Sequence, residues 1–316
     1  MQTRRLGRTD LAIAPIVLGG NVFGWTADRA ASFAVLDRFA AAGPAAIDTA
    51  DVYSSWAPGN HGGESETIIG EWMRARGNRD RVIVMTKVGS RMAMGKEGLK
   101  PAYIEEAVEA SLRRLQTDVI DLYFSHWVDM TTPFADTLGA YQRLIEKGKI
   151  RWCGASNLNA ALLGMAVAAA KANGGARYEV LQPEYNLADR RGFDGALADL
   201  CIAEEIGVVT YHSLARGFLS GKYRSEADLG KSARGSDVKA HLNPRGLRIL
   251  DALEAVAASH KASPAEAALA WVMARPGVTA PIASATSPAQ VDSLLRAAKL
   301  TLTDADMAAL TAASAV

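Results

Sequence analysis

Cysteine is scarce in this 316-residue chain. Its two copies, Cys153 and Cys201, lie far apart and share no CxxC or Cys/His spacing, which excludes a zinc centre or redox dithiol built on them. Two buried thiols in a reducing compartment are the expectation. An excess of one charge is lacking too: 35 lysines and arginines face 34 aspartates and glutamates. No bias therefore points to nucleic acid, an anionic membrane or a polyanionic partner. No apolar run approaches the ~20 residues a bilayer span needs. Arg4-Arg5 precedes the apolar stretch Leu11 to Gly20, as in an export signal. However, Thr9 and Asp10 interrupt it, Pro15 breaks it, and no small-residue cleavage site follows. A cytoplasmic protein is expected. Histidine is limited to five residues, and only His126 and His212 fall at or near the end of an apolar run. That is too few for a metal-dependent lyase or hydrolase, so no metal is expected.

Hydrophobic residues make up 49% of the chain and charged residues 22%, which allows a large core and argues against disorder. Short apolar runs alternate with longer amphipathic stretches. The strand candidates are 13–20, 45–50, 81–87, 119–126, 150–156, 178–182, 207–211 and 279–285. Helix candidates between them include 64–76, 101–115, 133–147, 158–172 and 193–206. The strands read as continuous β-branched and leucine runs, as in a parallel sheet buried on both faces. Eight strand–helix units in this length predict one (β/α)8 TIM barrel spanning residues 1–316, with an N-terminal β-hairpin. A doubly wound open sheet is disfavoured, because no GxGxxG turn follows the first strand. Ser263-Pro264-Ala265-Glu266 and Ser287-Pro288-Ala289-Gln290 read as capping boxes with proline at the first helical position. The Gly- and Ser-rich stretch 214–243 breaks the rhythm, and helices at 244–260 and 263–275 follow it. The seventh unit thus carries a long loop and an extra helix.

In a barrel, chemistry collects at the carboxyl ends of the strands. There the second strand ends on Asp48 and leads to Tyr53; the third ends on Lys87 and the fourth on His126. Ser156 and Asn157 follow the fifth, while Gln182 ends the sixth and Tyr211 the seventh. Singly, each has a bland reading: Asp48 as a cap, Tyr53 as packing, His126 as a core histidine, Gln182 as a barrel-layer hydrogen bond. Lys87 says more, because an ammonium closing the run Val82 to Thr86 needs a carboxylate partner. Asp48 on the adjacent strand is the obvious one.

Asp48-Thr49-Ala50-Asp51-Val52-Tyr53, Thr86-Lys87 and Ser125-His126 together resemble the catalytic tetrad of the aldo-keto reductase family, in a short-tailed bacterial-type form. The resemblance continues through Gly148 to Arg151, Gly154 to Asn157, Leu181 to Asn186 and Leu214 to Lys222. It implies an NAD(P)H-dependent oxidoreductase that reduces an aldehyde or ketone to an alcohol. Tyr53 is then the proton donor, Lys87 lowers its pKa, Asp48 pairs with Lys87, and His126 orients the carbonyl. A cation ~4 Å away at an effective dielectric of ~20 stabilises a phenolate by ~4 kcal/mol. That is about three pKa units, enough to bring Tyr53 close to neutrality.

The same resemblance implies that Ser156, Asn157 and Gln182 hold a nicotinamide carboxamide and that Tyr211 stacks on its ring. The loop with Gly217 and Lys222 folds over the pyrophosphate. Gly20, Asn21, Ser213, Leu214, Ser284, Thr286 and Gln290 complete the cofactor set. The helix start at Ser287 to Gln290 suits an anion. The adenine end departs from the family pattern, because no lysine or arginine precedes that helix to meet a 2′-phosphate, and Leu294 stands near the usual asparagine. NADP is favoured on family habit, and NAD stays open.

Of six tryptophans, Trp25, Trp56 and Trp127 follow strands one, two and four. With Phe23 and Phe218 they predict a flat, apolar pocket for a ring or bulky carbonyl compound. Trp72, Trp152 and Trp271 read as core. No long tail follows the helix at 304–313, so an open site of broad specificity is expected. Two other readings remain: an NAD(P)-linked sugar or secondary-alcohol dehydrogenase, and a slow-turnover cofactor-binding regulatory subunit. The complete tetrad argues against the latter. The oligomeric state stays undetermined.

Overall fold

The structure is a computed structural model that describes residues 2–92 and 96–315. A short antiparallel hairpin, β1 (Arg4–Arg5) with β2 (Ala12–Ile13), precedes eight parallel strands. These are β3 (Val17–Gly19), β4 (Ala45–Asp48), β5 (Val82–Val88), β6 (Ile120–Ser125), β7 (Ile150–Ser156), β8 (Val180–Gln182), β9 (Gly207–Thr210) and β10 (Ala280–Ala283). Each pairs with the next, and β10 closes onto β3. The chain is thus the expected (β/α)8 barrel with an N-terminal hairpin.

The helices lie outside: α1 (Arg29–Ala40), α2 (Glu64–Arg76), α3 (Pro101–Leu115), α4 (Phe134–Glu146), α5 (Ala160–Asn173) and α6 (Ala196–Ala203) follow β3 to β8 in turn. After β9 come three short 3-10 turns, then the extra α7 (Pro244–Ser259) and α8 (Pro264–Met273). Helices α9 (Pro288–Ala297) and α10 (Asp304–Ala313) complete the chain's described elements. The reciprocal cap expected at Ser263 forms with Glu266. Helix α6 is shorter than its apolar pattern, because Gly195 (φ 90°, ψ −130°) lies outside the helical region. The run 13–20 is also divided: Ile13 belongs to the hairpin, and only Val17–Gly19 enters the barrel. Pro15 sits at the break, where it donates no ladder hydrogen bond.

Two-residue periodicity sorts the strands. Ala46, Met85, Leu122, Phe124, Val180, Val209 and Ile282 pack together inside the barrel. Their neighbours Ile47, Val84, Tyr123, Leu181, Val208 and Ala283 join the layer beneath the helices. Leu6, Leu11 and Ile13 of the hairpin belong to the interior cluster and plug it from below. One step further up the same inward face stand Asp48, Lys87, His126, Ser156, Gln182, Tyr211 and Ser284. A polar layer is therefore the first layer above the apolar plug.

Gly154 shows how tightly that plug is filled: a Cβ there would lie 2.6 Å from the Phe124 ring and 2.7 Å from the Val180 carbonyl. Both thiols, Cys153 and Cys201, are free and buried, and burial pushes them up, Cys201 to about 12. Trp72 and Trp271 are core as expected, whereas Trp152 is half-buried and its indole N–H donates to Asp10 at 2.7 Å. No helix among the described residues is long and apolar enough to cross a membrane.

Gly154→Ala should lower stability by about 1–3 kcal/mol through overpacking, read as a lower urea midpoint. Gly164 in α5 has nothing within 4 Å of the Cβ it lacks. Gly164→Ala should stabilise by about 0.5–1 kcal/mol in the same measurement.

Candidate active site

The side chain of Lys87 is fully buried, and its ammonium is the hub of the polar layer. It donates to both oxygens of Asp48 at 2.8 Å, to the Thr49 carbonyl at 2.8 Å and to the Tyr53 hydroxyl oxygen at 2.9 Å. Tyr53 in turn donates to Asp48 Oδ2 at 3.3 Å, and the Gln182 amide donates to Asp48 Oδ1 at 2.8 Å. Adjacent parallel strands make this possible: Asp48 pairs in register with Met85, two residues before Lys87. Burial presses Lys87 below the ordinary lysine range, and the Asp48 carboxylate opposes that shift.

The lowered pKa expected for Tyr53 is reversed. Burial, followed by the charge of Asp48, holds its phenol well above the usual tyrosine range. The magnitudes explain why. At an effective dielectric of ~20, an ammonium at 2.9 Å favours the phenolate by ~6 kcal/mol. A carboxylate at 3.3 Å disfavours it by ~5 kcal/mol on the same scale. The two nearly cancel, so desolvation decides.

His126 stands beside Tyr53, ring centroids 6.0 Å apart, and stacks on Trp127. Burial and the Lys87 charge hold it well below the usual histidine range, so it is neutral. Ser90 Oγ lies 2.9 Å from its Nδ1. Ser90 was missed in the sequence; its one signal is a hydroxyl in the loop just past β5.

Asp48, Tyr53, His126 and Gln182 form the floor of a cavity of about 700 Å³, within the range of small-molecule sites, and Lys87 is buried beneath them. One wall carries Ser156, Asn157, Gln182 and Tyr211. Tyr211 donates to Asn157 Oδ1 at 2.7 Å, Asn157 Nδ2 donates to the His126 carbonyl at 2.9 Å, and Ser156 donates to the Gln182 carbonyl at 2.8 Å. The wall is thus ordered by its own hydrogen bonds. Asn21, Ser213, Leu214, Gly217, Lys222, Ser284, Thr286 and Gln290 line the cavity as well. Asn21 and Ser284 are bonded to each other. Gly20 is not on the lining; Gly19 is. The cap expected at Ser287 is one-sided, since the Gln290 side chain accepts from the Thr286 amide at 2.7 Å. Ala215 and Arg216 both take left-handed backbone (φ 47° and 57°) beside Gly217 at 102°. Such strain in non-glycine residues concentrates at ligand sites.

The aromatic pocket needs correction. Trp56 and Trp127 line the cavity and are about half exposed. Trp25 stands behind Trp56, edge-on at 5.8 Å. Phe23 and Phe218 do not reach the cavity: both are fully buried in the core, and Phe218 stacks on His241. Aromatic residues in a strand-end loop point inward or outward according to loop packing, which periodicity does not report. Arg216, Arg234, Glu184 and His212 also line the cavity without having been singled out as site residues. Glu184 pairs with His212 at 2.9 Å and Arg216 at 3.7 Å. Among the described residues no group of three or more potential ligands could hold a metal ion.

Residues 15–315 match the model of the Aldo/keto reductase family. The chain belongs to the aldo/keto reductase family. It is 31% identical over 285 residues to aldo-keto reductase str7 of Strobilurus tenacellus, covering 88% of this chain and 79% of that one. It is 30% identical over 312 residues to the uncharacterized oxidoreductase YrpG of Bacillus subtilis, covering 96% and 92%. A norsolorinic acid reductase of Aspergillus flavus is 33% identical over 237 residues, covering 70% and 58%. The protein is an oxidoreductase of the carbonyl–alcohol type, in a family that generally uses NAD(P)H.

Behind the floor, Asp51 is buried, and no side chain gives either of its oxygens a hydrogen bond. Burial and the charge of Glu66 push it up to about 8. An unfolded aspartate sits near ~3.9. The folded state therefore holds this proton more tightly, and the associated stability is present below about pH 4 and lost as pH rises towards 8. Four units at ~1.4 kcal/mol each bound the loss at about 6 kcal/mol. Asp51→Asn should flatten the fall in urea midpoint between pH 4 and 8 and be the more stable protein at pH 8. An unchanged slope would show that Asp51 is ionised throughout.

Proposed function

We propose that the protein reduces an aldehyde or ketone to an alcohol with NADPH, with Tyr53 as proton donor. The observation that supports this most is the Tyr53 hydroxyl held 2.9 Å from a fully buried ammonium, beside a neutral histidine at the floor of the cavity. When bound, the nicotinamide cofactor supplies the hydride that the carbonyl carbon receives. The amides and hydroxyls of Ser156, Asn157 and Gln182, with the flat ring of Tyr211, fit a planar carboxamide-bearing ring. Arg216 and Lys222 suit its phosphates. They also favour the more anionic NADPH over NADH, whereas Ser284, Thr286 and Gln290 supply only hydroxyl and amide groups.

Reduction turns a carbonyl oxygen into an alkoxide, and the proton it needs comes from Tyr53. With Ser90 donating to Nδ1, His126 presents Nε2–H to the same oxygen and fixes the substrate before transfer. The phenolate left on Tyr53 is met by Lys87 and regains its proton from solvent. This stabilisation acts on the phenolate and hardly on the phenol, so it lowers the barrier rather than tightening the ground state.

Tyr53→Phe should lower kcat for NADPH-dependent aldehyde reduction by about 10²–10⁴-fold, the worth of a general acid. Its NADPH affinity, read by fluorescence titration beside NADH, should stay at the wild-type value. Retention of wild-type turnover refutes the assignment. For the wild type, kcat/KM for reduction should be level between pH 6 and 9. Tyr53 stays protonated and His126 neutral across that window, since the one is shifted up and the other down. A limb near pH 7 in the steady-state profile would contradict it.

A further inference from the structure

Trp127 lines the cavity with half of its surface open, and its ring lies nearly parallel to His126, 14° between planes and 6.0 Å between centroids. A half-exposed indole on a loop keeps one orientation only where the backbone beneath it is fixed. That backbone is pinned on both sides. Upstream, the His126 amide donates to the Val88 carbonyl at 2.8 Å, and Asn157 Nδ2 donates to the His126 carbonyl at 2.9 Å. Downstream stands the half-buried Asp129, whose carboxylate accepts four hydrogen bonds. Its Oδ1 takes the Thr131 amide at 2.8 Å and the Thr131 hydroxyl at 2.6 Å. Its Oδ2 takes the Leu99 amide at 2.9 Å and the Thr132 hydroxyl at 2.8 Å.

The Leu99 bond matters most, because it crosses from one strand-end loop to another. Leu99 is buried just before α3, and Thr137 of α4 donates to its carbonyl at 3.3 Å. The Gly98 amide donates to the Gly89 carbonyl at 3.1 Å, closing a neck beside Ser90, the partner of His126 Nδ1. Gly98 has φ 81°, and a Cβ there would lie 2.8 Å from Asp129 Oδ2. The carboxylate therefore reaches the neck only past a glycine. Burial works against the charge of Asp129, yet the Leu99 amide and the threonine donors outweigh it and hold the carboxyl well below the usual carboxylate range. Bonds to an ionised acceptor are the strong ones, so the two loops are firmly joined.

We propose that Asp129 is a positioning residue for substrate selection: by pinning the β6–α4 loop to Leu99 it fixes the plane of Trp127, and so favours carbonyl compounds that carry a flat ring. This rests on the carbonyl-reductase reading. The carbonyl oxygen lies at Tyr53 and His126, the ring lies against Trp127, and Asp129 acts on the substrate only through that indole.

The test is steady-state reduction of 2-naphthaldehyde and of propanal by wild type, Asp129→Ala, Trp127→Ala and the double variant, with NADPH affinity read by fluorescence titration. Asp129→Ala should raise KM for 2-naphthaldehyde by about 3- to 10-fold, the worth of an aromatic contact. Its kcat, its KM for propanal and its NADPH affinity should stay at the wild-type values. Trp127→Ala should give a KM rise of at least that size, and adding Asp129→Ala to it should cost nothing more, since two residues acting as a unit are not additive. Asp129→Asn keeps one accepting oxygen and should fall between wild type and Asp129→Ala. If Asp129→Ala does not fold, Asp129→Asn and Thr132→Val carry the same comparison. Additive losses in the double variant overturn the proposal, as does an equal loss on propanal, which would make Asp129 a general scaffold residue. An unchanged KM for 2-naphthaldehyde in either single variant overturns it too and leaves the reductase reading intact. Reduction of neither aldehyde by wild type, in an assay with NADPH and NADH, counts against the reductase reading itself and takes the proposal with it.

Discussion

The Lys87–Asp48 ion pair is the interaction on which the site depends. A fully buried ammonium is tolerable only if its donors are used and its charge is balanced. Asp48, the Thr49 carbonyl and the Tyr53 oxygen meet both demands at 2.8–2.9 Å. Asp48 carries a second load, accepting from Gln182 and Tyr53 while it neutralises the lysine. Tyr53, the amide wall and the charge pair are thus parts of one network. Removing one partner strands a buried charge, which typically costs about 3–5 kcal/mol.

That pair also sets the character of Tyr53. A lysine alone would make the tyrosine a ready phenolate; a lysine already balanced by a carboxylate does not. The phenol keeps its proton, and in the proposed reduction Lys87 is in place for the charge that proton transfer would create. The neutral state of His126 has related causes, burial and the Lys87 charge. A neutral imidazole donates one hydrogen bond without competing as a titrating acid at physiological pH.

Much of this was legible because barrel geometry is periodic. Lys87 ends a β-branched run, so its partner had to come from a neighbouring strand, and Asp48 closes the adjacent one. Gln182 and Tyr211 follow the same parity. Phe23 and Phe218 misled because a loop has no such period: each turned into the core instead of the cavity. Ser90 and Arg234 passed unnoticed for the same reason, since their loops do not announce which residue faces inward. Pro15 was visible as a break in the first run, yet which half joins the barrel depends on the hairpin that plugs it.

Taken alone, the amino-acid sequence determined the barrel and its strand order from the succession of buried runs, and put Asp48, Lys87 and His126 at strand ends, whereas the roles expected of them and of Tyr53 came from the family resemblance. Tertiary structure alone decided the direction in which the proton affinities of Tyr53, Lys87 and His126 move and the lining of the cavity above them. Proton affinity depends on distances across strands and on lost water, and lining depends on how separate loops pack against one another. Neither quantity is carried by residues close together in the chain.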